Sequence, residues 1–503
     1  MKNKTSSGVD FVSPRIIKLA INVLATPLCY VINNSIESGE FPESWKIAKV
    51  CPVFKKKGSK QDKENYRPVA NLKSVSKVIE IIVNKQVLDH FENQNLFPHN
   101  QHGFRKNRST FTAVANMNEK WIRNKEVSKE NQGLSFLDLS SAFDTLNTKI
   151  FCQKLKCYGF TQKSTEWFRS YLTGRKQCVN IGSSISSEVT LSLGCPQGAI
   201  LSPTIFLILL ADIELWTDSS LCGYADDTSS VTTDKSVDQL VKKTEETVED
   251  LFKFMAVNRL VANDSKTKFC VVRKGHDHPE KVSFKIGKAK PIEESEHEKL
   301  LGMWVSNDLK WSKHLEKLAS DLNKRLFMLR KIEQFMPKTL LKNVANGIFM
   351  SSLRYGMGIW CPIKISEQDP NPACLKEVKV VFNDLLRLLC ESRRDQHKSI
   401  DSMLQNLNWL SINQMSAQIR LIETWKALNT ETSLSHFFKK FESSTRASAH
   451  NRLKTTPHSQ IRESSFVYPS ICLWNKAPNS VTDATTESQA RTAIETFVKT
   501  LPI

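Results

Sequence analysis

The sequence lacks the signatures of several protein classes. Its 12 cysteines include no C-x-x-C pair, and none of its 11 histidines lies at zinc-finger spacing from them, so we expect buried free thiols rather than a Cys/His zinc module. The apolar segment 16–36 is interrupted by polar residues and falls short of the roughly 18 apolar residues that a spanning helix needs. No apolar region follows the charged N-terminus. These absences predict a soluble, intracellular protein without a membrane partner.

Acidic residues are in deficit. The 503 residues include 71 Lys and Arg against 52 Asp and Glu, a formal net charge of +19, and the pI is about 9.3. This excess predicts a polyanionic partner, either nucleic acid or an anionic membrane surface, and charge alone does not decide between them. Apolar content of 40% and charged content of 24% exclude wholesale disorder. The length corresponds to about three folding units or one elaborate enzyme core.

The positive charge is concentrated in one early stretch. Between positions 46 and 67, eight cationic residues face only two acidic ones. The cationic residues are Lys46, Lys49, Lys55, Lys56, Lys57, Lys60, Lys63 and Arg67. A solvated loop would tolerate this composition, but the imbalance favours a strand pair that contacts phosphates.

Hydrophobic periodicity indicates an α+β layout. An apolar strand over 133–139 precedes a helix, a hairpin surrounds the acidic pair at 226–227, and an amphipathic helix covers 237–255. After about residue 305 the pattern becomes helical and basic, and the Pro-bearing segment 366–373 is typical of a linker. Strands and helices in this order predict mixed rather than all-helical architecture.

Acidic residues stand where strands should be apolar. Asp138 interrupts the strand that contains Phe136, and Asp226 and Asp227 adjoin at the hairpin tip. Two like charges at this distance repel by about 1 kcal/mol or more unless a cation neutralises them. Mg²⁺ suits carboxylates together with substrate phosphates, and three carboxylates from two strands can hold two ions about 3.5–4 Å apart. An isolated Asp-Asp pair is more often ordinary turn chemistry, so the prediction depends on the joint pattern.

Seven sequence blocks, read in order, resemble those of one enzyme family. They are NYRPVANLKSVSKVIE (65–80), QHGFRKNRST (101–110), FLDLSSAFD (136–144), GCPQGAILSP (194–203), YADD (224–227), NDSKTK (263–268) and HEKLLGMWVSNDLKWSKHL (297–315). By these blocks the chain resembles the reverse transcriptases of non-LTR retrotransposons, in particular the jockey and CR1-like long interspersed elements. The segments NLNWLSINQMSAQIRLIETWKALN and LWNKAPNSV are similar to the C-terminal region of these elements.

The resemblance implies a role for each matching residue. Asp138, Asp226 and Asp227 would be the catalytic, metal-binding carboxylates. Phe143 would lie beneath the sugar and exclude a 2′-hydroxyl, favouring deoxynucleotides. Arg105 would bind the incoming triphosphate by charge-assisted hydrogen bonds, with the nearby Lys106 and Arg108 as alternatives.

Further roles follow from the later blocks. Gln197 and Gly198 would let a loop approach template and nucleotide closely. Lys266 would lie near the leaving pyrophosphate as a candidate general acid, although a solvated lysine is nearly as good an interpretation. The 300–302 turn, Leu300, Leu301 and Gly302, would position the primer end. The loop departs from the family wording at three positions, Cys195, Ala199 and Ser202.

The implied fold is a right-hand polymerase of the α+β class with fingers, palm and thumb and a helical C-terminal extension. We predict an N-terminal helical extension (1–40), fingers and palm (41–305), a mostly helical thumb (306–395) and an element-specific region (396–503). The implied cofactor is a pair of Mg²⁺ ions, with Mn²⁺ as an alternative. The implied partners are an RNA template, a DNA primer and deoxynucleoside triphosphates, and the implied site of action is the nucleus.

The family's N-terminal endonuclease has no recognisable motif in this sequence, so a separate endonuclease is a further expected partner. Two alternatives to an active reverse transcriptase stay open at this stage. One is a catalytically inactive remnant that still binds nucleic acid. The other is a different right-hand polymerase, such as a group II intron maturase or a telomerase-like enzyme.

Overall fold

The structure is a computed structural model of the chain. It describes residues 5–140, 143–275, 280–287, 290–365, 373–392, 398–440, 452–454 and 465–502. Most of the predicted linker, 366–372, lies outside the described residues. Within them, no helix is long and apolar enough to cross a membrane.

Eighteen α-helices occur in the described residues. They are α1 (Pro14–Leu19), α2 (Ile21–Ser38), α3 (Ser76–Asn93), α4 (Thr110–Arg123), α5 (Thr148–Cys157), α6 (Gln162–Leu172), α7 (Ser202–Leu209), α8 (Val237–Val257), α9 (Ser312–Ile332), α10 (Lys338–Ala345), α11 (Ser351–Arg354), α12 (Met357–Trp360), α13 (Lys376–Leu389), α14 (Ile400–Leu407), α15 (Ile412–Asn429), α16 (Val467–Lys476), α17 (Asn479–Thr482) and α18 (Glu487–Val498). Local sequence explains several boundaries. Ser109 and Thr112 form a reciprocal capping box at α4, and Gly39 ends α2 in the left-handed conformation.

Fifteen strands accompany these helices in the same residues. They are β1 (Ile47–Phe54), β2 (Tyr66–Leu72), β3 (Asn131–Leu137), β4 (Leu139–Ser140), β5 (Lys176–Ile181), β6 (Ser184–Ile185), β7 (Val189–Thr190), β8 (Ser220–Tyr224), β9 (Asp227–Asp234), β10 (Val261–Ala262), β11 (Lys268–Val272), β12 (Ser283–Phe284), β13 (Ile292–Glu293), β14 (His297–Leu300) and β15 (Met303–Ser306).

The basic stretch forms the predicted strand pair. β1 and β2 are antiparallel, with Ala48 opposite Leu72 and Phe54 opposite Tyr66. β5 joins the other edge of β1 in parallel and extends the sheet toward β6 and β7. The prediction that Lys46 contacts phosphates was wrong. Lys46 lies just before β1, not on the solvated face of the strand, and its buried side chain forms an ion pair with Glu43.

The central sheet has the order β11-β3-β9-β8 and is antiparallel throughout. The apolar strand predicted over 133–139 is β3, followed across one residue by the short β4. The amphipathic helix predicted over 237–255 is α8, which packs on β3 and β9. Its buried face includes Leu240, Val248 and Leu251. Both predictions are confirmed.

The second half of the chain is mainly helical. α9 buries a row of leucines at helical spacing and packs against α13. The row consists of Leu315, Leu318, Leu322, Leu326 and Leu329. α15 packs between α16 and α18, so the C-terminal segment belongs to the same core as the helices before it.

All twelve cysteines are free thiols, as expected. Only half of them are fully buried, so the expectation of buried thiols was wrong for three exposed residues, Cys29, Cys157 and Cys374, which lie on helices or a turn at the surface.

Candidate active site

The register of the central sheet brings the predicted carboxylates together. Leu137, the last residue of β3, faces Thr228, the second residue of β9. Asp138, which follows β3, therefore lies at the same end of the sheet as Asp227, the first residue of β9. In paired antiparallel strands, the Cα atoms of directly opposite residues lie within about 5.5 Å of each other. Asp138 and Asp227, 89 positions apart in the sequence, thus lie at one end of the sheet because their strands pair antiparallel.

Asp226 lies in a two-residue turn between β8 and β9. Tyr224 pairs with Asp227, and Ala225 has a positive φ of 58°, as the first position of a tight hairpin turn requires. Gly103 packs directly on this turn, since a Cβ on Gly103 would lie 2.3 Å from the Ala225 nitrogen. The 101–110 block therefore packs on the hairpin tip, and only glycine allows that close approach.

The electrostatics of the cluster confirm that the three carboxylates interact. Partial desolvation, followed by repulsion from Asp226 and Asp138, raises the pKa of Asp227 from its ordinary 3.8 to about 6. The Asp227 side chain remains accessible at the surface, so the adjoining protein limits its hydration without enclosing it. An acid whose ionised form is disfavoured by like charges is a place where a cation binds favourably.

Lys266 supplies one positive charge to this edge. Its ammonium donates to Asp138 Oδ2 at 2.7 Å, although 61% of the lysine side chain is exposed. The preceding residues hold it there, since β10 pairs with β4 and the Asn263 amide donates to the Asp138 carbonyl at 3.0 Å. Lys266 is therefore not a freely solvated lysine, and it lies beside a predicted metal ligand.

The glycine-containing loop before α7 is fixed between the two sheets. Gln197 Nε2 donates to both oxygens of Asp144 at 2.9 and 2.8 Å, and its carbonyl accepts from the Ala70 amide at 2.7 Å. Gly198 has a φ of 118°, and a Cβ there would lie 2.8 Å from the Ala70 carbonyl oxygen. The loop thus connects β2 to the segment after Asp138.

The unusual residues of this loop have structural partners. Ser202 is buried and donates to the Pro196 carbonyl at 2.8 Å, which closes the loop onto the first turn of α7. Ala199 packs in a small cluster with residues of β1 and β2. Burial raises the pKa of the Cys195 thiol to about 12, so this cysteine is a packing residue rather than a nucleophile.

Phe143 lies beside the same loop. Its carbonyl accepts from the Cys195 amide at 2.8 Å, and its ring is half-buried against Phe206 at a centroid distance of 5.3 Å. The ring therefore has one face supported by α7. This support would hold the ring in place against a substrate group.

Arg105 is engaged inside the protein. Its guanidinium donates to both oxygens of Glu92 at 2.9 and 2.6 Å and to the Pro98 carbonyl at 2.8 Å, and only 9% of the side chain is exposed. The triphosphate role of Arg105 stays a prediction, and it requires this ion pair to open. Lys106 is exposed, whereas Arg108 donates to the His99 carbonyl.

The 300–302 turn connects β14 to β15. Leu300 pairs with Met303, and both turn residues have positive φ, 45° for Leu301 and 90° for Gly302. Leu301 packs against the same core as Tyr224 of the β8–β9 hairpin. The turn and the hairpin are thus supported by one body of packed side chains.

Sequence reasoning missed residues that hold this site in place. Glu80, the last residue of the 65–80 block, is fully buried and accepts a hydrogen bond from the Ile200 amide at 2.7 Å. Tyr355 donates to the Leu301 carbonyl. Glu80 belongs to the 65–80 block, and the match of this block to the family was a signal available in the sequence. Nothing in the local pattern around Tyr355 distinguished that residue.

The donor set suits a hard divalent cation. Carboxylate oxygens are the ligands that Mg²⁺ takes in proteins, and the raised pKa of Asp227 indicates uncompensated negative charge. In the described part of the chain, no group of three or more His, Cys, Asp or Glu side chains is already arranged as a metal site. The fit is therefore one of donor chemistry, with Lys266 acting as the counter-charge of Asp138.

Comparison with known proteins gives one family match. The family described as "Reverse transcriptase (RNA-dependent DNA polymerase)" matches residues 54–305, which include all three carboxylates.

Three curated relatives belong to mobile elements of the fruit fly Drosophila melanogaster. The chain is 24% identical over 403 residues to the probable RNA-directed DNA polymerase from transposon X-element of Drosophila melanogaster, covering 77% of this chain and 43% of that protein. It is 28% identical over 245 residues to the RNA-directed DNA polymerase from mobile element jockey, covering 46% and 26%. It is 30% identical over 211 residues to the corresponding protein from transposon BS, covering 42% and 23%. The chain thus spans less than half the length of these relatives.

Proposed function

The chain belongs to the reverse transcriptase (RNA-dependent DNA polymerase) family, and on that premise we propose that it is the polymerase of a jockey-like non-LTR retrotransposon. It would add deoxynucleotides to the 3′-hydroxyl of a DNA primer on an RNA template. The names of the three relatives reported above, one an RNA-directed DNA polymerase and two probable ones, all of mobile elements, support this proposal.

One observation carries the proposal. Antiparallel pairing of β3 with β9 brings Asp138 to the hairpin that bears Asp226 and Asp227, and partial desolvation, followed by repulsion from Asp226 and Asp138, raises the pKa of Asp227 to about 6. A fold gains no stability from collecting carboxylates at one exposed edge, so such a cluster indicates a functional site.

Reverse transcriptases generally use divalent metals, and here Asp138, Asp226 and Asp227 would hold two Mg²⁺ ions, with Mn²⁺ as an alternative. When bound, the ions activate the attacking hydroxyl and stabilise the leaving pyrophosphate. The ammonium of Lys266 donates to Asp138 at 2.7 Å, and this closeness supports the proposal that Lys266 would lie near the leaving pyrophosphate and donate a proton to it.

The surrounding residues would orient the nucleotide and the template. The Phe143 ring, supported by Phe206, would meet a 2′-hydroxyl and so favour deoxynucleotides. Gln197 and Gly198 would bring the loop backbone close to the nascent base pair. The contacts of both residues with Ala70 hold the loop in one position, and such fixed positioning favours the reaction. The basic β1–β2 hairpin would contact the nucleic-acid backbone.

The proposed division of the chain is 1–40, 41–305 (fingers and palm), 306–395 (thumb) and 396–503. β5 follows the 136–144 block in the chain and pairs in parallel with β1 of the basic β1–β2 hairpin. This pairing supports treating fingers and palm as one unit. A separate endonuclease and a nuclear site of action remain parts of the proposal.

The test is primer extension on poly(rA)/oligo(dT) with Mg²⁺ and dTTP. We expect extension by the wild type and none by Asp226→Asn, because this change removes a charged metal ligand but preserves the shape of the side chain. Asp218→Asn is the matched control, since Asp218 is an exposed aspartate outside the cluster, and it should extend like the wild type.

Binding of the same duplex is measured in parallel. If the wild type binds the duplex but does not extend it under Mg²⁺ or Mn²⁺, the polymerase proposal is refuted, and the chain is an inactive remnant that binds nucleic acid. Extension that survives in Asp226→Asn would refute the assignment of this carboxylate.

A further inference from the structure

The strand that leads into the acidic pair has a hydrogen-bonded neighbour on each edge. On one edge, β8 pairs with β9. On the other edge, the Gly223 amide donates to the Asn100 carbonyl at 3.0 Å, and the Gly223 carbonyl accepts from the His102 amide at 2.8 Å. These two bonds form a parallel bridge centred on Gln101. The 100–102 segment therefore holds β8 from the side opposite to β9, where an edge strand would otherwise present unpaired backbone groups.

The Gln101 side chain lies at the centre of this contact, and only 4% of the residue is exposed. A Cβ on Gly223 would lie 2.9 Å from both Gln101 Nε2 and Oε1, so the face of the carboxamide covers the strand backbone. Gln101 Oε1 also accepts from the Gly103 amide at 3.3 Å, a local bond that closes the 101–103 turn. The closed turn places Gly103 against the nitrogen of Ala225, the residue before Asp226.

The backbone of Gln101 is fixed by its own segment. Its amide donates to the Pro98 carbonyl at 3.1 Å, and its carbonyl accepts from Arg105 Nη1 at 3.4 Å. Arg105 is held in turn by both carboxylate oxygens of Glu92 on α3. The Gln101 side chain therefore reaches the β8–β9 hairpin from a segment that is anchored on a long helix.

We propose that Gln101 is a positioning residue that fixes the β8–β9 turn, and so sets the separation between Asp138 and the acidic pair at 226–227. This inference rests on the proposed polymerase function, in which these carboxylates act together. Gln101 acts through Gly103 and Ala225 rather than on the reacting atoms. Its side-chain oxygen is the essential group, since an apolar side chain of equal length would fill the same space but leave the Gly103 amide without its acceptor.

The decisive variant is Gln101→Met, which keeps the length of the side chain and removes the acceptor. Gln153→Met is the matched control, because Gln153 is exposed on α5. On poly(rA)/oligo(dT) with Mg²⁺, with rates normalised to the active fraction from burst amplitudes, we expect Gln101→Met to lower kcat by about two- to tenfold, the range for loss of one hydrogen bond. KM for dTTP and for the duplex should stay unchanged, because the substitution displaces the carboxylates and removes no contact to either substrate.

Hydrogen exchange in EDTA separates positioning from general damage and needs no bound metal. Peptides that cover residues 220–227 should exchange about two- to tenfold faster in Gln101→Met, whereas peptides from α8 and the thermal midpoint should match the wild type. Equal acceleration in α8, a raised KM in place of a lowered kcat, or a wild-type kcat would each refute the inference while the polymerase function stands. Failure of the wild type to extend any primer would refute the proposed function itself, and this inference with it.

Discussion

Glu119 joins the C-terminal segment to the helix that precedes the central sheet, and its replacement gives a prediction of defined size. The side chain lies buried on α4, and its Oε1 accepts from the backbone amides of Phe466 and Val467 at 2.8 Å each. These are first amides of α16, which have no partner within their own helix. Glu119 therefore caps a helix that lies 347 residues further along the chain.

Glu119→Ala should leave both amides unsatisfied in apolar surroundings, since Phe466 and Val467 are buried. Each buried donor without a partner costs about 1–3 kcal/mol, so we expect a local loss of about 3 kcal/mol. Glu119→Gln is the matched control, because its amide oxygen can still accept from both donors. Burial raises the pKa of Glu119, so loss of its charge should be tolerated, and the change in Gln should stay below about 1 kcal/mol.

Hydrogen exchange of peptides that cover 465–476 measures this effect locally, without requiring the whole chain to unfold in two states. A loss of about 3 kcal/mol corresponds to exchange roughly a hundredfold faster in Glu119→Ala. Peptides from α8 should be unaffected. Equal protection in the Ala and Gln variants, or protection in the Ala variant equal to the wild type, would show that the two hydrogen bonds do not stabilise α16.

Two further predictions concern the active site. Phe143→Val should lower selectivity for dTTP over UTP by about tenfold or more in primer extension, because the ring that meets a 2′-hydroxyl is removed, whereas Phe143→Tyr should preserve it. Asp227→Asn should abolish extension and yet raise the thermal midpoint by about a degree at pH 7.5 in EDTA, because the folded-state pKa of about 6 exceeds the ordinary 3.8, while solvent screening at this exposed side chain keeps the gain small. The destabilisation by the ionised carboxylate is complete above about pH 6 and absent below about pH 4, so thermal scans at pH 4 should show no gain. A lower midpoint at pH 7.5 would contradict the electrostatic argument.

The elements nearest the carboxylates could be predicted from sequence because their signals are local. The alternation around Tyr224 and the adjoining acids specified a hairpin, and the structure has β8 and β9 joined by a two-residue turn there. The leucine row of α9 repeats at helical spacing, and each of its members is buried. The family expected from the seven blocks is confirmed.

The environment of an individual cation is hard to predict from sequence because it depends on partners elsewhere in the chain. Lys46 was counted among phosphate-contacting residues, yet it is buried beside Glu43. The triphosphate role of Arg105 stays a prediction, and in the structure Glu92 holds this arginine in a bidentate ion pair. A lysine or arginine has the same sequence signature whether it faces solvent, a phosphate or an internal carboxylate, so only packing distinguishes these cases.

The sequence by itself determined which chemical groups are present and which short elements carry them: the three carboxylates, the hairpin and the amphipathic helices. The tertiary structure alone decided which groups meet. Asp138 reaches Asp227 through strand pairing, Lys266 reaches Asp138 across 128 positions, and Tyr355 reaches Leu301 across 54. Hydrophobic periodicity specifies which face of a helix or strand is buried, but a hydrogen bond between distant residues leaves no periodic trace. Its partner is selected only when the elements pack.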